Sequence, residues 1–295
     1  MNPTLAGPTP GGAGAVTVGR RAFPFAPFLW FSGLLVVLFF PVIRLMVWEW
    51  ATLEEMGHAF FVPLVVGFIV WKERDRILSQ PVKPFWPAIV LVVWGFFQMI
   101  CGFLGADYFI ARTALLVTLA GVLWTTAGTA VLRSLLFPLL LLLFAVRLPL
   151  FVTQQITFPL QLFASTVASD LLNLIGIPVM RDGNILELPT QRLQVVEACS
   201  GIRSLFSLTF ISLAYAYVFD RRKWMRPVLF VATIPIAIGT NAFRITLSGI
   251  LSQVKPEWAE GGYHLFEGWI IFLVALAILM AFHRILCRFA GAPDA

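Results

Sequence analysis

The feature that most constrains this chain is a succession of apolar runs, each about as long as a bilayer is thick, separated by short polar segments. A helix needs roughly 20 mostly apolar residues to cross the ~30 Å hydrocarbon core. Candidate spans are Pro24–Val47, His58–Lys72, Phe85–Gly105, Tyr108–Gly128, Leu132–Val146, Ser200–Phe219, Pro227–Gly249 and Leu265–Phe282. Only 12% of the 295 residues are charged, while 59% are hydrophobic. A soluble domain carries about a quarter charged residues, so lipid rather than water is the main solvent here. The net charge of +6 is then cytoplasmic anchoring charge and not a nucleic-acid footprint. Residues 1–22, rich in Gly, Pro, Ala and Thr, are expected to form a disordered cytoplasmic tail. The run from Phe23 to Trp48 after Arg20 and Arg21 is too long for a cleaved signal peptide and marks a first span. Residues 23–295 are expected to form one transmembrane domain.

The stretch Phe151–Ile175 is ambiguous by length alone. Thr157, Gln161, Ser165, Ser169 and Asn173 recur every four residues on an otherwise apolar helix. Such a stripe suits a helix lying in the membrane interface or lining a cavity. Charge decides between lying and spanning. Lys72, Arg74, Arg76 and Lys83 form one basic cluster, and Arg221, Arg222, Lys223 and Arg226 form another. Both are expected on the cytoplasmic side, together with Arg20, Arg21, Arg133, Arg284 and Arg288, in all 13 of the 21 Lys and Arg residues. An even number of spans must separate the two clusters. Phe151–Ile175 as a further span breaks that parity, so it is placed flat on the outer surface. The expected fold is an all-α polytopic membrane protein with about eight transmembrane helices, both termini cytoplasmic, an outer-face amphipathic helix and a small β element, the last two within 151–198. Short strands are expected at Ile177–Met180, Ile185–Leu188 and Leu193–Ala198, with turns at Asp182-Gly183 and Pro189-Thr190.

This topology gathers three reactive side chains at one membrane depth. Cys199 precedes the first turn of the span Ser200–Phe219, where unpaired N–H groups and the helix dipole favour a thiolate; a buried structural cysteine is the other reading. Arg244 lies near the outer end of its span, either snorkelling to the interface or facing a polar cavity. His264 opens the last span and suits an interfacial histidine beside Tyr263 or a general base. Together they suit acyl transfer. A thiolate attacks a carbonyl, an imidazole moves protons and a guanidinium stabilises negative charge.

The segments Glu197-Ala198-Cys199-Ser200-Gly201-Ile202-Arg203, Asn241-Ala242-Phe243-Arg244 and His264 resemble the motifs of the exosortase/archaeosortase family. Gly57-His58-Ala59-Phe60-Phe61-Val62-Pro63, followed by a helix ending Trp71-Lys72, is similar to that family's N-terminal motif, with Ala59 where the family usually has Gly. The resemblance implies a bacterial inner-membrane cysteine peptidase or transpeptidase with its active site facing the periplasm. Its partners would be exported proteins with a C-terminal sorting signal: a short motif such as Pro-Glu-Pro, a transmembrane helix and a basic tail. By the same resemblance Cys199 is the nucleophile, Arg244 the transition-state stabiliser and His264 the acid/base. Arg203, Asn241, Glu197 and His58 are supporting candidates. Arg203 suits either the thiolate and substrate or the lipid headgroups, and Glu197 suits a partner for a nearby arginine. Ser200 suits a helix cap.

No cofactor and no metal are expected. The three cysteines lack metal spacing, and His264 with Glu267 offers only two ligands at i, i+3. His283 and Cys287 fall on the cytoplasmic side, away from the site. The rival reading is a non-catalytic transporter or glycan-handling membrane protein that binds an anionic substrate through its outer arginines.

Overall fold

The computed structural model describes residues 25–194, 202–220, 222–255 and 261–289, and only the backbone of Phe25, Gln194 and residues 261–265. The first span expected from the sequence is broken into helices α1 (Phe25–Leu38) and α2 (Phe40–Thr52). They meet at 69°. Pro41 sits in the first turn of α2, where its ring clashes with the preceding turn and ends α1. Phe39 fills the corner and is fully buried. A 3₁₀ turn over Glu54–Phe60 leads into α3 (Phe61–Lys72). The short α4 (Arg74–Leu78) follows.

Next come α5 (Ile89–Leu104) and α6 (Tyr108–Ala127), a tight antiparallel hairpin. Asp107 caps α6 by accepting the Phe109 and Ile110 N–H groups at 3.0 and 3.3 Å. The two backbones approach so closely that a Cβ on Gly102 would stand 2.6 Å from the Ala111 nitrogen. Without a hydrophobic drive between helices in lipid, such small-residue packing is what holds them. Gly128 turns the chain with φ +91°, and a Cβ there would lie 2.0 Å from the Lys83 carbonyl oxygen.

Helix α7 (Thr129–Leu141) tightens into a 3₁₀ turn at Leu142–Ala145, and α8 (Leu150–Leu174) then departs at 80°. Strands β1 (Met180–Asp182), β2 (Ile185–Glu187) and β3 (Arg192–Gln194) form an antiparallel sheet in that order. Met180 pairs with Glu187, and Ile185 with Gln194. The first strand starts later than the sequence suggests because Asn173 Oδ1 accepts the Val179 N–H at 3.1 Å, tying that segment to the end of α8. Three long helices complete the chain: α9 (Ile202–Phe219), α10 (Met225–Val254) and α11 (Gly261–Phe289).

Among the described residues six helices are individually long and apolar enough to cross a membrane, and eight are reached if each bent pair counts as one span. The protein is an all-α polytopic membrane protein with a small sheet. Leu29, Trp30, Val90, Phe97, Trp269 and Leu273 are exposed, as a lipid-facing surface requires.

Two contacts show that α3 and α9 run parallel. Arg203, at the start of α9, pairs with Glu54, at the start of the turn feeding α3. At their other ends Lys72 Nζ donates to the Val218 carbonyl at 3.0 Å. The chain therefore enters both helices at one end of the bundle. An odd number of crossings between them follows, which α5, α6 and the bent pair of α7 and the next long helix, Leu150–Leu174, supply when that pair counts as one span.

The stripe on α8 does not face lipid headgroups. Thr157, Gln161, Ser165 and Ser169 are buried, while Phe151, Phe158, Phe163 and Leu174 are exposed. The small residues bring α8 close to α10: Ala164, Ala168 and Leu172 cluster with Leu186 of β2 and Ile245 of α10. A Cβ on Gly249 would meet Leu172 at 2.9 Å. At 1.5 Å per residue α10 is about 45 Å long, well beyond the hydrocarbon core. Its final turns are the part that α8 and the sheet brace.

Candidate active site

Helices α9, α10 and α11 can be aligned by depth from contacts within the bundle. The Thr209 and Thr233 hydroxyls lie 3.0 Å apart and tie α9 to α10. Arg244 lies about 16 Å beyond Thr233 and Ile202 about 10 Å from Thr209 in the same direction, at 1.5 Å per residue. Arg244 thus stands about 6 Å beyond Ile202, at the end of the bundle where the chain enters α9. At the opposite end, His283 Nε2 of α11 lies 3.1 Å from Asp220 Oδ2, just past α9. The backbone of His264 is about 28 Å back along α11 from His283, and Ile202 is about 27 Å back from Asp220. The starts of α9 and α11 and residue Arg244 of α10 share one end of the bundle.

At that end α10 meets α11 closely. Arg244 is buried, and a Cβ on Gly268 would stand 3.6 Å from its Nη1. Gly268 lies one helical turn beyond His264, so the guanidinium rests on the stretch of α11 that His264 begins. Ser248, one turn beyond Arg244, donates to the buried Glu267 carboxylate at 2.7 Å. Asn241 is buried as well. Cys199 and Glu197 lie outside the described residues, as does the side chain of His264.

Beside the first turn of α9 is a cavity of about 290 Å³, lined by Glu55, His58, Phe144, Arg147, Ile202 and Arg203 among others. Two of the supporting candidates, Arg203 and His58, therefore share one cavity, although the sequence separates them widely. The cavity wall is mostly apolar, and Glu55, His58, Arg147 and Arg203 give it a charged and polar edge. Arg147 Nε donates to Glu55 Oε1 at 3.1 Å, and its Nη1 lies 4.0 Å from Glu49 Oε1. Glu49 also pairs with Arg112, and both are almost wholly buried. Charge at membrane depth survives only when paired and turned inward. Sequence reasoning missed Glu54, Glu55 and Arg147. Their signal was present: two acidic residues one position short of the Gly57-His58 motif, with two arginines at the same end of later helices to meet them.

A family model described as transmembrane exosortase (Exosortase_EpsH) matches residues 48–281. None of the curated proteins and none of the solved structures compared with the chain matches it. The match runs from the end of α2 to the last turns of α11 and contains every candidate residue above, so the chain belongs to the transmembrane exosortase family.

Proposed function

We propose that this protein cleaves exported proteins near the membrane surface, within a C-terminal sorting signal, through an acyl-enzyme on Cys199. Family membership brings the general role, membrane-bound processing of sorting signals by thiol chemistry. The observation that carries the finer reading is the depth match of α9, α10 and α11, with buried Arg244 seated on Gly268 one turn from His264. Convergence of the three helices at one end supports a site to which each contributes one residue.

In this reading the substrate's membrane anchor docks laterally among the spans. The Cys199 thiolate attacks the scissile carbonyl carbon while Arg244 balances the charge that builds on the oxygen. His264 protonates the departing amine, and the anchor leaves. Water or an amine acceptor then attacks the thioester and gives its proton back to His264, which frees the thiol. The basic clusters support a reading in which the Cys199 end faces the periplasmic side of a bacterial inner membrane and both termini face the cytoplasm. Parallel α3 and α9 support the same parity.

The direct test is to trap a thioester on Cys199 with a co-expressed protein bearing a C-terminal sorting signal, and to identify the acyl group by mass spectrometry. Cys199→Ala, Arg244→Ala and His264→Ala should each abolish processing while the protein stays in the membrane. Normal processing by Cys199→Ala would overturn the mechanism.

A further inference from the structure

At the opposite end of the bundle from the start of α9, three side chains converge that the acyl-transfer reading does not use. His283 and Cys287 stand one turn apart on α11. Asp220 joins them from just past the end of α9. Asp220 Oδ2 lies 3.1 Å from His283 Nε2 and 3.7 Å from Cys287 Sγ, and Sγ lies 3.4 Å from Nε2. The Asp220 and His283 side chains are almost fully buried.

Pairwise hydrogen bonds, with the ring N–H and the thiol each donating to Asp220 Oδ2, leave the 3.4 Å approach of Sγ to Nε2 without a proton of its own. Both the carboxylate and the thiol approach the same ring nitrogen, which carries at most one proton. The other nitrogen, Nδ1, has its own neighbour in the Tyr215 hydroxyl at 3.4 Å. Metal ligation accounts for the triangle well. With metal–sulfur near 2.3 Å and metal–nitrogen and metal–oxygen near 2.0 Å, tetrahedral ligand atoms stand roughly 3.3–3.6 Å apart. The three observed separations bracket that range. The surroundings are also those of a ligand set. A metal-bound imidazole keeps a partner on its second nitrogen, and a ligating carboxylate is itself hydrogen-bonded. Tyr215 supplies the first, and the Arg222 N–H, donating to Asp220 Oδ1 at 2.8 Å, supplies the second.

We propose that Asp220, His283 and Cys287 bind a zinc ion that clamps the adjacent ends of α9 and α11. Thiolate, imidazole and carboxylate together favour zinc over magnesium or calcium, which prefer oxygen alone. Solvent supplies the fourth ligand. The clamp fixes the relative height of α9 and α11, and through about 28 Å of rigid helix it sets where their far ends stand.

The test uses the full-length protein in detergent, in a Cys101→Ser/Cys199→Ala background that leaves Cys287 as its single thiol. After chelation and dialysis against zinc, the protein should retain about one equivalent by elemental analysis. With cobalt(II) in place of zinc it should show a thiolate-to-metal charge-transfer band. Cys287→Ser should remove the band, and Asp220→Asn and His283→Gln should each weaken zinc retention at least tenfold. Asp220→Asn stays near isosteric, so it reports even where a harsher change prevents folding. Zinc at buffer level in the parent, or a cobalt band that survives Cys287→Ser, would leave only a hydrogen-bonded cluster and overturn the proposal.

Discussion

Ser248 donates a 2.7 Å hydrogen bond to the buried carboxylate of Glu267, and so joins α10 to α11 one turn beyond Arg244. Interhelical hydrogen bonds in membranes contribute about 0.6 kcal/mol on average and up to about 1.7 kcal/mol. Acceptance by a buried carboxylate puts this one toward the upper end. Ser248→Ala should therefore lower the thermal midpoint in detergent by an amount equivalent to about 1–2 kcal/mol. If Arg244 acts on the substrate, processing should fall more than stability does. Ser248→Thr keeps the hydroxyl and should restore most of both. Equal losses in Ser248→Ala and Ser248→Thr would show that the hydroxyl contributes nothing.

Gly268 offers a graded test of the Arg244 position. A single Cβ there meets Nη1 at 3.6 Å, an ordinary contact. Gly268→Ala should leave processing within about twofold and gain slightly in helix propensity. Gly268→Leu extends into the space of the guanidinium and should displace it, with loss of processing from a protein that still inserts. Processing blots beside size-exclusion profiles separate displacement from misfolding. Indifference to leucine would mean that Arg244 does not act from this place.

Glu49 and Arg112 form a buried ion pair between α2 and α6, and Arg147 adds a third charge at 4.0 Å from Glu49. Breaking such a pair from one side leaves an uncompensated buried charge and costs about 3–5 kcal/mol. Glu49→Ala alone should thus reduce the yield of folded, monodisperse protein sharply. Glu49→Leu combined with Arg112→Met removes both charges and should recover most of that yield. A double variant as impaired as the single one would assign the loss to packing instead.

The helices were legible in the sequence because lipid permits little else: a long apolar run must satisfy its backbone internally. Parity was legible because Lys72–Arg76 and Arg222–Arg226 carry charge that sorts by side. The bend at Phe39 was legible in principle, since Pro41 interrupts the run, but length alone hides it. The orientation of the α8 stripe was not legible. Serine and threonine serve a headgroup interface and a close helix contact equally well, and only the position of α10 decides between them. The Asp220, His283 and Cys287 triangle escaped for a similar reason. Its i, i+4 half is local, but its third member is over sixty residues away and is fixed by the packing of α9 on α11. The Glu55, His58 and Arg147 wall likewise joins segments whose proximity is tertiary.

Arg203 separates a structural role from a functional one. It pairs with Glu54, whose side chain is 65% exposed, and exposed ion pairs contribute only about 0–1 kcal/mol. Arg203→Ala should therefore shift the thermal midpoint little. Yet Arg203 also lines the cavity beside the first turn of α9, with His58 and Arg147, where a substrate's carboxylate or backbone would meet a cation. Arg203→Ala should accordingly cut processing at least tenfold while thiol labelling of Cys199 stays normal. Charge exchange provides the control. Arg203→Glu with Glu54→Arg rebuilds the ion pair in reverse, so it should keep the parent's stability without regaining processing. If the exchanged pair processes substrate normally, the pairing itself is what matters and Arg203 has no role toward the substrate.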